Sequence, residues 1–195
     1  MTISASALRR VLVTQRALLG ERPLAPTILD AARRGAATAI LLREKDLDDG
    51  VLFELARALV VHATVPVVLA HRPDLARDAG CAGVHLGWNS PSIQEARKFL
   101  EPGAVVGVSV HDVNEGVVST AEGADYLFCG PVRPTPKAHG PVEPIGFSPL
   151  RELAARTSVP VVGIGGLTPA DEEEVMATGA AGFAAIRAFV EYLER

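Results

Sequence analysis

The sequence predicts an α/β protein that folds as one compact (β/α)8 barrel, the TIM barrel, spanning residues 1–195. Eight short apolar runs occur along the chain, and segments with helical spacing lie between them. Strands that alternate with helices are typical of a parallel sheet. An open doubly wound sheet of five or six strands would leave two of the eight runs unexplained, so their number favours the closed barrel.

The predicted strands are runs of four to six residues without alternation of apolar and polar positions. Runs of this kind, often bounded by Gly or Pro, are typical of strands that are buried on both faces. In chain order, the predicted strands are Val11–Thr14, Ala39–Leu42, Val65–Ala70, Gly83–Leu86, Val105–Val108, Tyr126–Cys129, Val159–Ile164 and Gly182–Ile186.

The segments between the runs carry apolar side chains on one helical face, as Leu52, Leu55, Ala56 and Leu59 do. Ser90-Pro91 and Thr168-Pro169 each predict a helix start, because a capping side chain is followed by proline at the first helical position. The longest segment without periodicity is 130–147, which is rich in Pro and Gly. A long loop in a compact domain is typically functional or disordered.

Composition and charge exclude several classes of function. The 19 basic and 23 acidic residues give a net charge of −4, which is not the basic field that non-specific nucleic-acid binding requires. The apolar runs are too short to span a membrane, and the N-terminus lacks the pattern of a signal peptide. We therefore expect a cytoplasmic protein, either a monomer or a homo-oligomer, with a small-molecule partner and no nucleic-acid or membrane partner.

The residues that follow the predicted strands are unusually cationic. Active sites of (β/α)8 barrels lie at the C-terminal ends of the strands, so these side chains would share one rim. Because the whole chain is acidic, the local excess predicts an anionic small-molecule ligand. For any single residue, solvation of a loop tip explains the charge equally well. The set comprises Arg16, Arg43, Lys45, Arg72, Arg133, Lys137 and Arg187.

The clearest local signal is the pair Gly165 and Gly166, which follows the seventh run. Bare glycines let backbone N–H groups approach a phosphate, and a helix capped by Thr168 would add its positive end. Barrels often bind phosphate between the loops after strands seven and eight, where Arg187 would be a charge partner. The alternative interpretation is a tight turn that needs glycine for its geometry alone.

Three of the five histidines fall at the predicted rim, namely His71, His111 and His139. Imidazole titrates near neutral pH, so these residues are candidate acid/base catalysts. No pair of them has the close spacing of zinc ligands, so we expect no zinc site. His85 falls inside a predicted strand, where a structural role is expected.

Seven segments of the chain match the motifs of one family: Leu12–Arg16, Leu42–Lys45, Gly83–Gly87, Gly107–His111, Gly123–Tyr126, Gly130–Thr135 and Pro160–Gly166. Through them the chain resembles the thiamine phosphate synthase and TenI superfamily over almost its full length. The resemblance implies a (β/α)8 barrel and a role in thiamine biosynthesis. The superfamily's synthase joins hydroxymethylpyrimidine pyrophosphate to thiazole phosphate and releases pyrophosphate with the help of Mg²⁺. Its TenI branch includes a tautomerase that moves a proton on thiazole phosphate.

The resemblance also implies roles for individual residues. Pyrophosphate contacts fall on Arg43, Lys45, Ser109 and Lys137. The backbone cradle for the thiazole phosphate falls on Gly165 and Gly166, and a contact near the thiazole falls on Thr135.

The chain departs from the synthase pattern at the positions that read the pyrimidine and hold the metal. A Gln that reads the pyrimidine is replaced by Leu41. The two Asp residues that hold Mg²⁺ in the family are replaced by His71 and Ser90. Mg²⁺ prefers oxygen ligands that include one or two carboxylates, so these replacements should greatly weaken the metal site. The TenI pattern is also incomplete, because Pro131 stands where one tautomerase has a His.

These observations leave three hypotheses. The leading one is a TenI-like protein that binds thiazole phosphate and transfers a proton without a metal, with His71, His111 or His139 as the catalytic residue. The alternative is a divergent thiamine phosphate synthase. The third is a non-catalytic phosphate-ester binder or regulator. No cofactor is expected for the first hypothesis, and Mg²⁺ is expected if the synthase hypothesis holds.

Overall fold

The computed structural model describes residues 3–135 and 143–192, with side chains described as far as residue 189. Its eight strands are all parallel and form a closed barrel in chain order, in which the first strand also pairs with the last. This confirms the predicted (β/α)8 fold class. Two candidate site residues, Lys137 and His139, lie outside the described residues.

All eight predicted runs form strands. Two strands, β3 and β7, begin two residues later than predicted, just after Pro66 and Pro160. Proline has no N–H to donate to a strand ladder. The carbonyls of both prolines still accept hydrogen bonds from neighbouring strands, at 2.9 and 3.0 Å. The strands are β1 Arg10–Val13, β2 Ala39–Leu42, β3 Val67–Ala70, β4 Gly83–Leu86, β5 Val105–Val110, β6 Tyr126–Cys129, β7 Val161–Ile164 and β8 Gly182–Ala185.

A helix follows each strand and packs on the outside of the barrel. Short 3-10 turns at Ala5–Leu8, Arg16–Leu18 and Pro169–Asp171 complete the regular structure of the described residues. None of the described helices is long and apolar enough to cross a membrane. The helices are α1 Leu24–Arg33, α2 Asp49–His62, α3 Pro73–Asp78, α4 Ile93–Arg97, α5 Val113–Ala121, α6 Phe147–Arg156, α7 Glu172–Met176 and α8 Arg187–Tyr192.

One predicted helix start is wrong. Helix α4 is capped by Ser92, not by Ser90. The Ser92 hydroxyl accepts a hydrogen bond from the Glu95 N–H, and the Glu95 carboxylate accepts one from the Ser92 N–H at 2.8 Å. This capping box satisfies two backbone groups at once and therefore prevails over the Ser-Pro start. Ser90 is left free to act in the loop between β4 and α4.

The barrel interior and the layer between strands and helices are separate apolar clusters. The interior cluster includes Leu41, which is only 2% exposed. It also includes Tyr126 and Phe128, which flank the buried His85 ring. Tyr126 fits because Gly107 has no side chain, since a Cβ at that position would overlap the tyrosine ring. A filled interior of this kind leaves the ends of the strands as the place for a site.

Candidate functional site

Two cavities open where the strands end. The larger, of about 300 Å³, lies at the ends of β2 and β3, and we call it the β2–β3 pocket. The other, of about 200 Å³, lies at the ends of β7 and β8, and we call it the β7–β8 pocket. In the strand order, only β1 separates them. Polar residues of the first are Arg43, Glu44, Lys45, Asp49, His71, Arg72 and Asn89, and those of the second are Gln15, Thr135, Thr168 and Arg187.

The β2–β3 pocket crowds cationic groups together. Burial lowers the pKa of Arg43 from its ordinary value, although Glu44 partly opposes the shift. Burial, and then the charge of Arg43, lower the pKa of Lys45. Burial, and then the charges of Lys45 and Arg43, lower the pKa of His71. Arg43 thus makes the charged form of Lys45 less favourable, and both make the charged form of His71 less favourable. A bound anion would relieve this repulsion.

His71 has an unusual backbone at the end of β3. Its φ of 67° is the one positive φ outside glycine among the described residues. Such a conformation is uncommon for a non-glycine residue and is found at functional sites more often than elsewhere. It brings His71 Nδ1 to 2.6 Å from the Ser90 hydroxyl oxygen. The same oxygen accepts a hydrogen bond of 2.8 Å from the Gly87 N–H.

The donors in the β2–β3 pocket do not fit Mg²⁺. The positions at which the family resemblance implies metal ligands carry His71 and Ser90, which bond to each other. Nearby carboxylates are already engaged, since Glu44 accepts the Arg16 N–H at 3.1 Å and both Asp49 and Asp74 bond to Arg72. Within residues 3–135 and 143–189, no group of three or more His, Cys, Asp or Glu side chains could hold a metal ion.

Fewer of the predicted rim cations are available to a ligand than the sequence suggests. Three of its arginines pair with carboxylates, which neutralise much of their charge toward a ligand. Arg16 pairs with Asp46, and Arg72 pairs with Asp49 and with Asp74 at 2.8 Å. Arg133 lies 2.8 Å from both Asp171 and Glu174. As far as the chain is described, Arg43, Lys45 and Arg187 make no salt bridge, and they line the two pockets.

Gly165 and Gly166 line the β7–β8 pocket, and both need to be glycine. Their φ values are 95° and 66°. A Cβ on Gly165 would lie 2.6 Å from Pro131 Cβ, and one on Gly166 would lie 2.5 Å from the Pro134 carbonyl oxygen. Packing against segment 131–134 thus explains the glycines, as the tight-turn interpretation predicts. Their N–H groups have no acceptor among the described residues, so they are available to an anion as well.

The predicted start at Thr168 is confirmed, because Thr168 forms a capping box with Asp171 and Pro169 follows it, but no long helix begins there. A three-residue 3-10 turn follows Thr168, and helix α7 has only five residues. The Asp171 carboxylate accepts hydrogen bonds from both the N–H and the hydroxyl of Thr168, at 2.8 and 2.9 Å. The Thr168 N–H is therefore not free to bind a ligand, and the negative charge of Asp171 offsets the partial positive charge at the start of the turn. Cations and glycine amides therefore remain as the anion-binding groups of this pocket.

The other predicted site residues lie in different surroundings. His111 is exposed, lines neither pocket and lies 3.3 Å from Glu115 of α5. Ser109 Oγ lies 2.9 Å from His85 Nε2, and His85 Nδ1 lies 3.0 Å from the Tyr126 hydroxyl. Burial, with smaller contributions from His71 and Arg43, lowers the pKa of His85 to about 3, so this ring is neutral at pH 7. The His71–Ser90 bond and this buried chain were not predicted, because their members lie far apart in sequence.

Comparisons with known proteins agree with this arrangement. A family model described as thiamine monophosphate synthase matches residues 10–189. A thiamine-phosphate synthase of Roseiflexus castenholzii is 36% identical over 181 residues, covering 91% of this chain and 79% of the relative. That of Clostridium novyi is 34% identical over 183 residues, covering 92% and 89%.

A solved structure resembles the whole chain. Thiamine phosphate pyrophosphorylase from Pyrococcus furiosus superposes with a TM-score of 0.82 at 28% identity, and the match covers 97% of this chain and 98% of that one. The family match over most of the chain and the relatives above 30% identity lead to the same assignment. The chain belongs to the thiamine monophosphate synthase family.

Proposed function

We propose that this protein is a transferase that joins two phosphate-bearing substrates, as the name thiamine-phosphate synthase states for its relatives. The pyrimidine pyrophosphate would bind in the β2–β3 pocket and the thiazole phosphate in the β7–β8 pocket. The observation that carries the proposal is the presence of two separate pockets, each with at least one cation that makes no salt bridge among the described residues. A tautomerase needs only one such pocket.

The proposed reaction breaks one bond and forms another. The bond between the pyrimidine methylene carbon and the pyrophosphate oxygen breaks, and its electron pair leaves with pyrophosphate. The thiazole nitrogen then forms a new bond to that carbon. Negative charge grows on the leaving group, so fixed cations beside it stabilise the transition state more than the ground state. Arg43, Lys45 and His71 are the residues of the β2–β3 pocket suited to this role.

The surroundings of the β7–β8 pocket favour the synthase over the tautomerase. A general base must lie within hydrogen-bond reach of the proton that it removes. The described lining of this pocket has no histidine, carboxylate or cysteine, and its one charged side chain is Arg187. His71 lies in the other pocket, His111 faces solvent, and His139 lies outside the described residues. The leading hypothesis from sequence thus has less support than its alternative.

The test supplies both substrates and measures thiamine phosphate and released pyrophosphate. The wild-type protein should form the two products in equal amounts, and both Arg43→Ala and Arg187→Ala should lower kcat/KM by at least about tenfold. The matched control is Arg151→Ala, because Arg151 is exposed on α6 and lines neither pocket. Isomerisation of the thiazole substrate alone would establish the tautomerase instead. Thermal stabilisation by the substrates without turnover would establish the binder.

A further inference from the structure

The β2–β3 pocket contains two cations that no carboxylate of the described residues engages in a salt bridge, although Glu44 lies beside Arg43. Arg43 and Lys45 make no salt bridge within the described part of the chain, and both line the cavity together with His71. The third cation at its edge, Arg72, is engaged by Asp49 and Asp74. Mutually repelling cations in a partly buried pocket cost free energy, which an anion of matching charge would recover. The pocket is therefore arranged for a multiply charged anion.

One ring nitrogen of His71 has a hydrogen-bond partner among the described residues, and the other has none. Its Nδ1 contacts the Ser90 hydroxyl at 2.6 Å, whereas Nε2 has no hydrogen-bond partner in residues 3–135 and 143–189. The Ser90 oxygen also accepts the Gly87 N–H, which leaves one lone pair and one hydroxyl proton for the imidazole. Ser90 can therefore donate to a neutral His71 or accept from a protonated one. Nε2 carries a hydrogen when Ser90 donates to Nδ1 and when the ring is protonated, and in these two states it can donate to a ligand.

The carboxylates that line this pocket already have hydrogen-bond partners and are not available as metal ligands. Glu44 is nearly buried and accepts the Arg16 N–H through both of its oxygens at 3.1 Å. Asp49 is bonded to Arg72. A divalent cation placed here would meet an imidazole, a hydroxyl and two cations that make no salt bridge among the described residues, which are poor surroundings for Mg²⁺.

We propose that the β2–β3 pocket binds a pyrophosphate group directly, without a divalent cation, through Arg43, Lys45 and His71, with Ser90 as the positioning residue for the imidazole. This inference deepens the proposed function, since it concerns the leaving group of the same reaction. In place of a metal ion, the Nε2–H of His71 donates a hydrogen bond to the pyrophosphate, while Ser90 holds the imidazole through Nδ1.

The test is calorimetric titration of the whole chain with inorganic pyrophosphate, in EDTA and in excess Mg²⁺. We expect binding in EDTA, with a dissociation constant within about threefold of that in Mg²⁺. His71→Asn should weaken this binding by about tenfold or more, because it removes a charge-assisted hydrogen bond. The control is His62→Asn at the exposed C-terminal end of α2. No binding in EDTA, whether or not Mg²⁺ restores it, overturns the inference.

A second variant tests whether carboxylates at positions 71 and 90 would make pyrophosphate binding depend on Mg²⁺. The double substitution His71→Asp and Ser90→Asp supplies two carboxylates, so its pyrophosphate binding should require Mg²⁺ and fail in EDTA. If the double variant does not fold, the comparison of wild type and His71→Asn in EDTA still decides the matter. Ser90→Ala should weaken binding several-fold and change its pH profile, whereas a purely structural role would leave the profile unchanged. Because the probe is pyrophosphate alone, binding without turnover would refute the proposed function and leave this inference intact.

Discussion

The Nδ1 atom of His71 lies 2.6 Å from the hydroxyl oxygen of Ser90, which joins the end of β3 to the loop after β4. The two residues stand 19 positions apart in the chain and meet because β3 and β4 are neighbours in the barrel. The bond fixes the imidazole at the wall of the β2–β3 pocket. It also occupies the two positions at which related synthases are expected to hold a metal.

Removal of the Ser90 hydroxyl should destabilise the protein. Ser90→Ala breaks the bonds to His71 and to the Gly87 N–H, and we expect the free energy of unfolding to fall by about 1–2 kcal/mol. Chemical denaturation measures this change. Ser158→Ala is the control, because Ser158 is exposed and has no side-chain hydrogen bond among the described residues. Equal stability of the two variants would contradict the account of Ser90.

The pH dependence of pyrophosphate binding should follow His71. Its imidazole faces Arg43 and Lys45 from the loop after β2, Ser90 from the loop after β4, and His85 within β4. Burial and the two cations lower the pKa of His71, so the ring is mostly neutral at pH 7 in the free protein. A bound anion favours the protonated ring, so the affinity of the wild type relative to that of His71→Asn should rise as pH falls from about 8 to about 5. Calorimetry of both proteins over this range measures the ratio, in which the protonation of pyrophosphate itself cancels. Parallel profiles would contradict the prediction.

Acid should destabilise the barrel through His85. The pKa of this buried ring falls to about 3, below its value in the unfolded chain. The unfolded chain therefore binds more protons between about pH 6 and about pH 3, so stability is lost as pH falls through that window. The loss should approach about 1.4 kcal/mol per pH unit from this group, by proton linkage. Urea denaturation at several pH values measures it, and a flat profile from pH 6 to 4 would contradict the prediction.

A methyl group at Gly107 should disrupt the barrel interior. The Cβ of Gly107→Ala would overlap the Tyr126 ring, which is fully buried and bonded to His85. We expect a loss of about 1–3 kcal/mol, typical of overpacking. Gly50→Ala in α2 is the matched control, since its Cβ would approach nothing closer than 3.5 Å and helix propensity favours alanine. Equal denaturation midpoints for the two variants would show that the interior accommodates the methyl group.

The two pockets should respond independently to substitution. Arg187→Ala should weaken binding of thiazole phosphate by about tenfold and leave pyrophosphate binding unchanged, because Arg187 lines only the β7–β8 pocket. Arg43→Ala should have the reverse effect. Separate calorimetric titrations of each ligand test both statements. If either substitution weakens both ligands equally, the assignment of one substrate to each pocket is wrong.

Local pattern in the sequence was sufficient for the barrel and for the positions of its strands. Apolar runs such as Ala39–Leu42 and Gly83–Leu86 became strands with the predicted bounds, because burial on both faces leaves no alternation in the residues themselves. Ser90 was misassigned because Ser-Pro resembles a helix start, while the better cap at Ser92 depends on Glu95.

The chemistry of the site depends on tertiary neighbours that local pattern does not contain. Charge alone placed Arg16, Arg72 and Arg133 in one set with Arg43 and Lys45. In the structure the first three pair with Asp46, Asp49 and Asp171, which lie on other segments. The resemblance to known synthases identified positions 71 and 90 as altered, but their direct bond required the register of β3 against β4.

The most direct test of the account is the rate of thiamine phosphate formation from both substrates in EDTA and in excess Mg²⁺. The account predicts turnover under both conditions, with rates within about threefold of each other, and a loss of at least about tenfold in His71→Asn. Turnover that occurs only with Mg²⁺ would contradict the central claim that Arg43, Lys45 and His71 stabilise the leaving pyrophosphate without a metal.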